Sequence, residues 1–265
     1  MPPRRPPPSY ATRSSLRADL RAMGIGPGDV VMTHGSLKRL GLVIGGARAV
    51  VEALYDAVGR EGTIMMTAFS SDLSDPCDWY KPPVSPEWWD TIRAETPAYD
   101  PALTPSNGIG AVAEYFRTYP GVLRSPHPMS SFTARGPAAE RLVGEHPLDY
   151  RFGPDSPLGR LVELDGKIAL IGAPYESITL FHYTQHYVGW VRTSRVRSPV
   201  MVDGAARWMS YKDVRYPWHW FPYAAEHLIE QGIAKVSRVG ATRAVIFPAA
   251  ETVEAITEWR KEKGV

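Results

Sequence analysis

The sequence has almost no cysteine, no excess of either charge and no long apolar run. Cys77 is the only cysteine in 265 residues, which excludes an internal disulfide framework and a metal site with several cysteine ligands. Lysine and arginine total 30 against 28 acidic residues, for a net charge of +2, so charge gives no reason to expect a nucleic acid or an anionic membrane as partner. No apolar run approaches the ~20 residues that span a bilayer, and the N-terminus lacks the apolar stretch of a signal peptide. We therefore expect a cytoplasmic protein that binds neither.

Apolar residues make up 44% of the chain, which is enough to fill a sizeable core. The first residues, MPPRRPPPSYATR, are rich in proline and arginine, a composition typical of a flexible, polyproline-like tail. No linker divides the remainder. We therefore predict a flexible tail over residues 1–13 and a single α/β domain over residues 14–265.

Hydrophobic periodicity predicts alternating strands and helices. The order of DVVMTH, SLKRLGLVIGG, ARAVVEALYDAVG and GTIMMTAF is strand, loop, helix, strand, which indicates a parallel α/β sheet. A long stretch rich in proline, aspartate and aromatic residues, 70–108, predicts a functional loop insertion, and residues 194–221 predict a β-rich excursion. Further helices are predicted at 14–24, 111–119, 138–146, 224–232 and 251–262, and further strands at 130–136, 167–173 and 243–249.

Two polar segments are candidates for ligand binding. The loop 34–46 lies between a predicted strand and a predicted helix, where backbone N–H groups could bind an anion, although a plain glycine-rich turn explains it equally well. This loop matches neither the P-loop nor the dinucleotide-binding pattern. The segment RSPHPMSSF, residues 124–132, holds an arginine, a histidine and three serines, which is more polar density than a simple connector needs.

The segment TLFHYTQH, residues 179–186, places two histidines four residues apart directly after a predicted buried strand. Helical spacing would set both imidazoles on one face, as in a zinc site, but no third ligand has a spacing signal. A histidine at the carboxyl edge of an α/β sheet is alternatively a general base, because imidazole titrates near neutral pH. A packed or capped histidine without chemistry is the third interpretation.

Several separated motifs, in order, resemble the aminoglycoside 3-N-acetyltransferase family, also called the antibiotic N-acetyltransferases. THGSLKRLGLVIGG is similar to the family's HSSL-x-x-LG-x-x-x-GG loop, with Gly35 in place of the first serine. The stretch from PAYDPALTPSNG to MSSFTARG resembles the family's central region, and DGKIALIG followed by T-x-x-H at residues 179–182 resembles its closing motif. The resemblance runs from about residue 15 to residue 263. It implies a single-domain α/β sandwich of the antibiotic N-acetyltransferase type with long loop insertions, and acetyl transfer from acetyl-coenzyme A to a small-molecule amine without a metal.

The resemblance also implies roles for particular residues. His182 matches the histidine that takes a proton from the substrate amine, because an ammonium group has no lone pair to attack a thioester. Thr179 would orient or stabilise that centre, and backbone N–H groups or hydroxyls near Ser36 and Ser130 would stabilise the oxyanion. The residues implied for coenzyme binding are His34, Gly35, Ser36, Leu37, Lys38, Gly41, Val43, Gly45, Gly46, Ser106, Arg124, Ser125, His127, Ser130 and Phe132.

Two departures from the family pattern concern catalysis and the acceptor. The family's T-x-x-H-x-x-E has Gln185 in place of the glutamate; an amide supports a charged imidazole only weakly, and Glu176 or Asp155 could compensate. Where relatives present a cluster of acids, KDVRYPWHWFPY at residues 212–223 offers one acid and five aromatic residues, which suits a less cationic acceptor if these rings do not simply fill core. The residues predicted to bind the acceptor are Asp72, Asp75, Trp79, Tyr80, Tyr216, Trp218 and Trp220.

Three functions therefore stay open from the sequence. The first is an acetyl-coenzyme A-dependent N-acetyltransferase of antibiotic biosynthesis or a related pathway, acting on an amine less cationic than a typical aminoglycoside. The second is aminoglycoside 3-N-acetylation that confers antibiotic resistance, and the third is an inactive homologue that binds coenzyme A or another small ligand. The aromatic stretch 212–223 would also suit a homodimer interface.

Overall fold

A seven-stranded sheet runs through the centre of the computed structural model, which describes residues 10–265. Two short strands pair beside it, and a long hairpin forms a sheet of its own. In chain order the strands are β1 (Tyr10–Ala11), β2 (Val30–Gly35), β3 (Leu42–Val43), β4 (Thr63–Thr67), β5 (Leu123–Arg124), β6 (Phe132–Arg135), β7 (Lys167–Ile171), β8 (Thr193–Val202), β9 (Ala205–Val214), β10 (Lys235–Val239) and β11 (Thr242–Pro248).

Helices cover both faces of the central sheet, because its strands alternate apolar side chains between two cores. Val31 points into the core beneath α1, α2 and α4, whereas its neighbour Met32 points into the core beneath α5 to α9. The predicted single-domain α/β sandwich is confirmed. The helices are α1 (Arg13–Met23), α2 (Gly46–Val58), α3 (Trp89–Glu95), α4 (Ala111–Arg117), α5 (Ala139–Val143), α6 (Pro157–Glu163), α7 (Leu180–Thr184), α8 (Phe221–Glu230) and α9 (Ala249–Lys263).

The central sheet is mixed, and only its middle is parallel as predicted. The strand order is β10-β11-β7-β2-β4-β6-β5, in which β2 runs parallel to β7 and β4 while every other pair is antiparallel. The strands β10 and β11 meet at a tight turn containing Gly240, whose φ is 55°. Strands joined by such a short turn must run antiparallel, a constraint that the βαβ order does not reveal.

The elements absent from the sequence-based prediction include α3, α6 and β10. Each has only five to seven residues, which is too short for a clear hydrophobic period. The predicted β-rich excursion over residues 194–221 is the hairpin of β8 and β9, which ends at Val214. Residue 221 instead begins α8, where Pro222 suits the first helical turn.

The predicted flexible tail of residues 1–13 falls mostly outside the described residues, since residues 1–9 are not described. Residues 10–13 contain β1, the first residue of α1 and its cap Thr12, whose hydroxyl accepts the N–H of Ser15. Within residues 10–265, no helix is both long and apolar enough to cross a membrane.

Candidate active site

A cavity of about 560 Å³ opens at the carboxyl edge of the three parallel strands. Its floor is formed by His34 and Gly35 at the end of β2, Thr67 at the end of β4, and Ala173 and Pro174 just after β7. This is the edge at which α/β sheets place their ligands, because the connections diverge there and leave a crevice.

The walls of this cavity come from three loops. One wall is the start of the loop predicted to hold the coenzyme, and the second contains the glycines that precede α4. Gly110 has φ 87°, and a Cβ atom there would lie 3.7 Å from the carbonyl oxygen of Gly35, so a bare backbone leaves this wall close to the floor. The third wall carries the predicted catalytic residues. The wall residues are Ser36, Leu37, Lys38, Phe69, Gly108, Ile109, Gly110, Ala111, Ala113, Glu176, Ser177, Thr179 and His182.

His182 is held by α7, a single short helix whose other side chains anchor it. Phe181 and Tyr183 are buried, and the ring of Phe181 packs against Trp220 and Phe221. The imidazole of His182 lies parallel to the ring of Phe152, with centroids 5.1 Å apart and an interplanar angle of 10°. The rings of Tyr216 and Phe221 also pack against the imidazole, with ring centroids 5.1 and 4.8 Å from its own. The plane of the imidazole is therefore fixed by packing.

The pKa of His182 is lowered to about 3, first by burial and then by the cations Arg151 and Arg260 and by His186. The imidazole is therefore neutral at neutral pH. Its Nε2 atom makes no hydrogen bond within residues 10–265, yet it is not among the enclosed polar atoms without a partner, so it is open to the cavity that the side chain lines. A neutral imidazole open to a cavity can take part in proton transfer.

Gln185 and Thr179 flank this histidine. The amide Nε2 of Gln185 lies 3.2 Å from Nδ1 of His182 and 2.9 Å from the carbonyl oxygen of Pro217. The hydroxyl of Thr179 donates to the carbonyl oxygen of Ser177 at 3.3 Å. Glu176 lines the cavity one turn earlier, whereas Asp155 does not line it.

His186, the second histidine of the pair, has a packing role. Its Nε2 lies 3.1 Å from the hydroxyl of Tyr216, which in turn donates to Oδ1 of Asp213 at 2.8 Å. Because that hydroxyl has given its hydrogen to the carboxylate, it accepts from His186. Burial lowers the pKa of His186 to about 4. Among residues 10–265 there is no group of three or more histidine, cysteine, aspartate or glutamate side chains that could hold a metal.

The predicted polar segment 124–132 lies outside the cavity and ties loops together. The Arg124 guanidinium donates to backbone oxygens of Ala68 and Thr104 and to the hydroxyls of Ser70 and Ser131. Burial disfavours its charged form and lowers its pKa. With every arm bonded inside the protein, Arg124 is not placed to bind a coenzyme phosphate.

The side chains of His127 and Ser125 in that segment are also hydrogen-bonded inside the protein. The Nδ1 atom of His127 accepts the N–H groups of Met129 and Ser130, and burial sets the pKa of His127 well below its usual value. The hydroxyl of Ser125 contacts His146 at 3.0 Å, and Phe132 is a core residue. The polar density that marked this segment as a candidate thus reflects the hydrogen bonds of a buried loop.

Of the predicted coenzyme-binding residues, the first five, from His34 to Lys38, line the cavity. Gly41, Val43, Gly45 and Gly46 do not: Val43 lies in β3, and the two glycines start α2 with positive φ angles of 87° and 59°. The hydroxyl of Ser106 bonds the carboxylate of Glu114. These residues shape the loops rather than the surface of the cavity.

A second cavity, of about 740 Å³, lies beside the first. Asn107 lines it and adjoins Gly108 of the first cavity. Arg151 also lines it, and the Arg151 guanidinium lies 5.4 Å from the centroid of Phe152, the ring that stacks on His182. The predicted acceptor residues Asp72, Trp79 and Tyr80 are found here, together with Lys81, Arg195 and Arg215.

Four other acceptor predictions lie elsewhere. Asp75 is 1% exposed and pairs with Arg93 at 2.7 Å and Arg197 at 3.1 Å; burial opposes its ionisation, but the hydrogen bonds from Arg93 and Cys77 lower its pKa to about 2. Tyr216 packs against the imidazole of His182, Trp220 is a core residue, and Trp218 is 58% exposed. Asp75 therefore stabilises the loop and has no charge to spare for a ligand.

Sequence reasoning missed Arg151 and Asn107, which line the second cavity, and Phe152, which stacks on His182. Arg151 and Phe152 lie in a loop without any motif. Asn107 lies in the stretch that resembles the family's central region, but nothing in the sequence distinguishes it there. Arg195 lies in the hairpin of β8 and β9, and Arg215 follows at its exit. The recurrence of arginine in this part of the sequence was the only feature that could have indicated them. A polar cavity at the carboxyl edge of an α/β sheet is where enzymes of this fold class place their active sites.

Comparison with known proteins identifies the family. The family model for aminoglycoside 3-N-acetyltransferases matches residues 32–261, and the chain belongs to this family. The SPbeta prophage-derived aminoglycoside N(3')-acetyltransferase-like protein YokD of Bacillus subtilis (strain 168) is 38% identical over 94% of this chain and 92% of that protein. Its crystal structure has a TM-score of 0.92 at 37% identity, covering 94% of this chain and 93% of that one.

Two further relatives are similar over nearly their whole length. Aminoglycoside N(3)-acetyltransferase VIII of Streptomyces fradiae is 38% identical over 94% of this chain and 91% of that protein. The structure of AAC-IIIb in a binary complex with CoASH has a TM-score of 0.86 at 31% identity, covering 96% of this chain and 98% of that one. The predicted family and enzyme class, an acyltransferase, are confirmed.

Proposed function

We propose that this protein transfers the acetyl group of acetyl-coenzyme A to the amine of a small molecule, with His182 as the general base. The observation that carries the proposal is the open Nε2 of a neutral imidazole in the cavity at the carboxyl edge. Support for the donor comes from AAC-IIIb, a relative of the same fold whose structure contains CoASH.

The donor fits the wall formed by Ser36, Leu37 and Lys38. Lys38 is exposed at the rim and makes no ion pair within residues 10–265, so its ammonium group is available to a phosphate. The glycines Gly108 and Gly110 leave the opposite wall without side chains, which suits a narrow pantetheine arm. When bound, the coenzyme supplies a thioester carbonyl as electrophile.

The protein's part in the reaction is to hold the amine and to remove its proton. His182 is neutral and its ring plane is fixed, so its Nε2 can meet the amine without rearranging the wall. Thr179 and Glu176 line the same wall. We assign to Thr179 the orientation of the reacting groups. We assign to Glu176 the stabilisation of the positive charge on the imidazolium that forms.

The acceptor fits the second cavity and is less cationic than a typical aminoglycoside. Four cationic side chains, Lys81, Arg151, Arg195 and Arg215, line this cavity against two acids, Asp72 and Asp78. Arg151 pairs with the buried Asp213, which leaves three cations unpaired within residues 10–265 against two acids, an excess of positive charge that repels a polycation. Trp79 and Tyr80 offer apolar area to a ring.

Aminoglycoside 3-N-acetylation is the second candidate function. The observation that favours it is family membership, together with the names of relatives such as the Streptomyces fradiae enzyme. Asp72 and Asp78 make no ion pair within residues 10–265 and could hold one ammonium group each. A host that expresses this chain would then tolerate aminoglycosides better.

The test is acetylation of a panel of amines, followed by thiol release and by the mass of the product. The panel contains arylamines, alkylamines and aminoglycosides, and the variants are His182→Gln and the matched control His186→Gln. We expect turnover that is lost in His182→Gln and kept in the control. No turnover with any amine, despite measurable binding of coenzyme A, would contradict the proposal and indicate an inactive homologue.

A further inference from the structure

Gln185 makes the only hydrogen bond to the imidazole of His182 within residues 10–265. Its amide nitrogen contacts two atoms, Nδ1 of His182 at 3.2 Å and the carbonyl oxygen of Pro217 at 2.9 Å. Gln185 is 1% exposed, so water does not compete for either contact. The chemistry of these two partners decides which way the amide points.

The carbonyl oxygen of Pro217 can only accept a hydrogen bond, and it therefore requires the NH₂ group of the amide. The second hydrogen of that group faces Nδ1 of His182. Turning the amide round would set two oxygens 2.9 Å apart and would leave the NH₂ group where Oε1 now lies buried without a partner. Nδ1 is thus an acceptor, and the proton of the neutral imidazole is on Nε2.

This hydrogen-bond arrangement places a donor, the Nε2–H group, rather than a lone pair on the side of His182 that faces the cavity. To accept a proton from an amine, the imidazole must first move its own proton to Nδ1, where the amide N–H of Gln185 offers no acceptor. The base-competent tautomer and the imidazolium are both disfavoured, since each has an Nδ1–H facing another N–H. His182 is consequently a weak base.

The basicity of the acceptor amine determines whether a weak base suffices. A strongly basic amine is an ammonium ion at neutral pH, and it must lose a proton before its lone pair can attack. A weakly basic amine arrives neutral, and its nitrogen becomes acidic only when the new bond forms. That late proton transfer needs little base strength.

We infer that Gln185 is a positioning residue that restricts this site to weakly basic amines, such as arylamines, alkoxyamines and hydrazides. The inference rests on the proposed function and names its acceptor class. In the reaction the lone pair of the amine forms a C–N bond to the acetyl carbon, and the C–S bond breaks with its electron pair on sulfur. The proton lost by the amine ends on that sulfur, which gives an amide and a free thiol.

The tautomer is tested directly by ¹⁵N–¹H correlation spectra of histidine-labelled protein above pH 7. We expect the Nε2–H pattern for His182 in the wild type and a mixture of tautomers in Gln185→Met, which keeps the length of the side chain but lacks the N–H donor. In Gln185→Glu we expect the Nδ1–H pattern, because a carboxylate accepts. An Nδ1–H pattern in the wild type would overturn the inference, whatever the activity.

The acceptor class is tested with aniline, O-benzylhydroxylamine and benzylamine, three amines that each contain a phenyl ring and differ in basicity. We expect the wild type to favour the first two by kcat/KM, and Gln185→Glu to raise the benzylamine-to-aniline ratio at least tenfold. The matched control is Gln231→Glu, the same change at an exposed position, and it should leave the ratio unchanged. An identical ratio in wild type and Gln185→Glu would overturn the inference.

The two proposals fail in different ways. Turnover with every amine and no effect of Gln185→Glu on selectivity removes the inference but keeps the acetyltransferase. Absence of turnover with all three amines removes the proposed function, and the inferred acceptor class with it, whereas the spectra still report which nitrogen carries the proton.

Discussion

The ring of His182 is oriented by the aromatic side chains packed around it, whereas its protonation is governed by the Gln185 amide, by burial and by nearby cations. Phe152 stacks on the imidazole, and the Arg151 guanidinium lies 5.4 Å from the centroid of the Phe152 ring. Tyr216 packs against the imidazole and donates a hydrogen bond to Asp213. Burial and the Arg151 charge both lower the pKa of His182. Packing and protonation of this residue are therefore set by different side chains and can be changed separately.

Tyr216→Phe tests the polar link behind the ring. The change removes the hydroxyl that donates to Asp213 and accepts from His186, and it leaves a buried carboxylate oxygen with one donor fewer. We expect the free energy of unfolding to fall by about 1–3 kcal/mol, measured by urea denaturation.

The matched control for this change is Tyr223→Phe, because Tyr223 is 72% exposed and its hydroxyl has water as an alternative partner. We expect the control to unfold with the wild type within about 0.5 kcal/mol. Equal stability of Tyr216→Phe and the wild type would show that the link to Asp213 contributes nothing.

At the scale of elements, the hairpin of β8 and β9 determines the charge of the proposed acceptor cavity. It contributes Arg195 directly, and Arg215 follows at its exit. Neither arginine makes an ion pair within residues 10–265. Two of the three cations of this cavity that are unpaired within the described part of the chain therefore come from the hairpin and its exit, and the third is Lys81.

The double variant Arg195→Gln, Arg215→Gln tests that assignment. Removing two exposed charges near a polycation is expected to lower KM for aminoglycosides by roughly threefold to tenfold, with KM for a neutral arylamine unchanged. The control is Arg207→Gln, an exposed arginine of β9 outside the cavity. An unchanged KM for aminoglycosides in the double variant would show that the hairpin arginines do not oppose binding of a polycation.

Elements also show how far the sequence could predict this molecule. Buried strands such as β2, β4 and β7 were predictable because each is a continuous apolar run, and the histidine that follows β7 could be placed at the carboxyl edge from order alone. Residues such as Arg124 and His127 could not be sorted from ligand-binding residues, since a buried loop that bonds its own backbone has the same composition as a site. The second cavity is formed by segments far apart in sequence, and no local pattern encodes that proximity.

For the whole molecule, buried histidines predict a loss of stability in weak acid. Burial lowers the pKa of His34 to about 4 and of His146 to about 3, and it sets the pKa of His127 well below its usual value. Below the unfolded value of about 6.5, the unfolded chain binds protons that the folded protein does not, so stability falls as pH falls until the folded pKa is reached. Each such histidine contributes about 1.4 kcal/mol per pH unit at most.

Urea unfolding at pH 7.5, 6.5 and 5.5 measures this dependence. We expect little change between the first two values and a loss of several kcal/mol by the third. His127→Asn should reduce the slope, because the amide oxygen of Asn keeps an acceptor for the loop but does not titrate. His219→Asn, at an exposed position, should leave the slope unchanged. A free energy of unfolding that is constant from pH 7.5 to 5.5 would contradict the account.

The central claim is that an uncharged His182, hydrogen-bonded by Gln185, takes the proton of the acceptor amine. The pH profile of kcat/KM from pH 5.5 to 8 tests this claim most directly. An arylamine acceptor is used because it stays neutral over this range. Since the pKa of His182 is lowered to about 3, we expect a flat profile for the wild type. Gln185→Glu should raise the pKa of His182 and bring an acid limb into the measured range. A wild-type profile that falls below pH 6.5, or one that His182→Gln does not abolish, would contradict the claim.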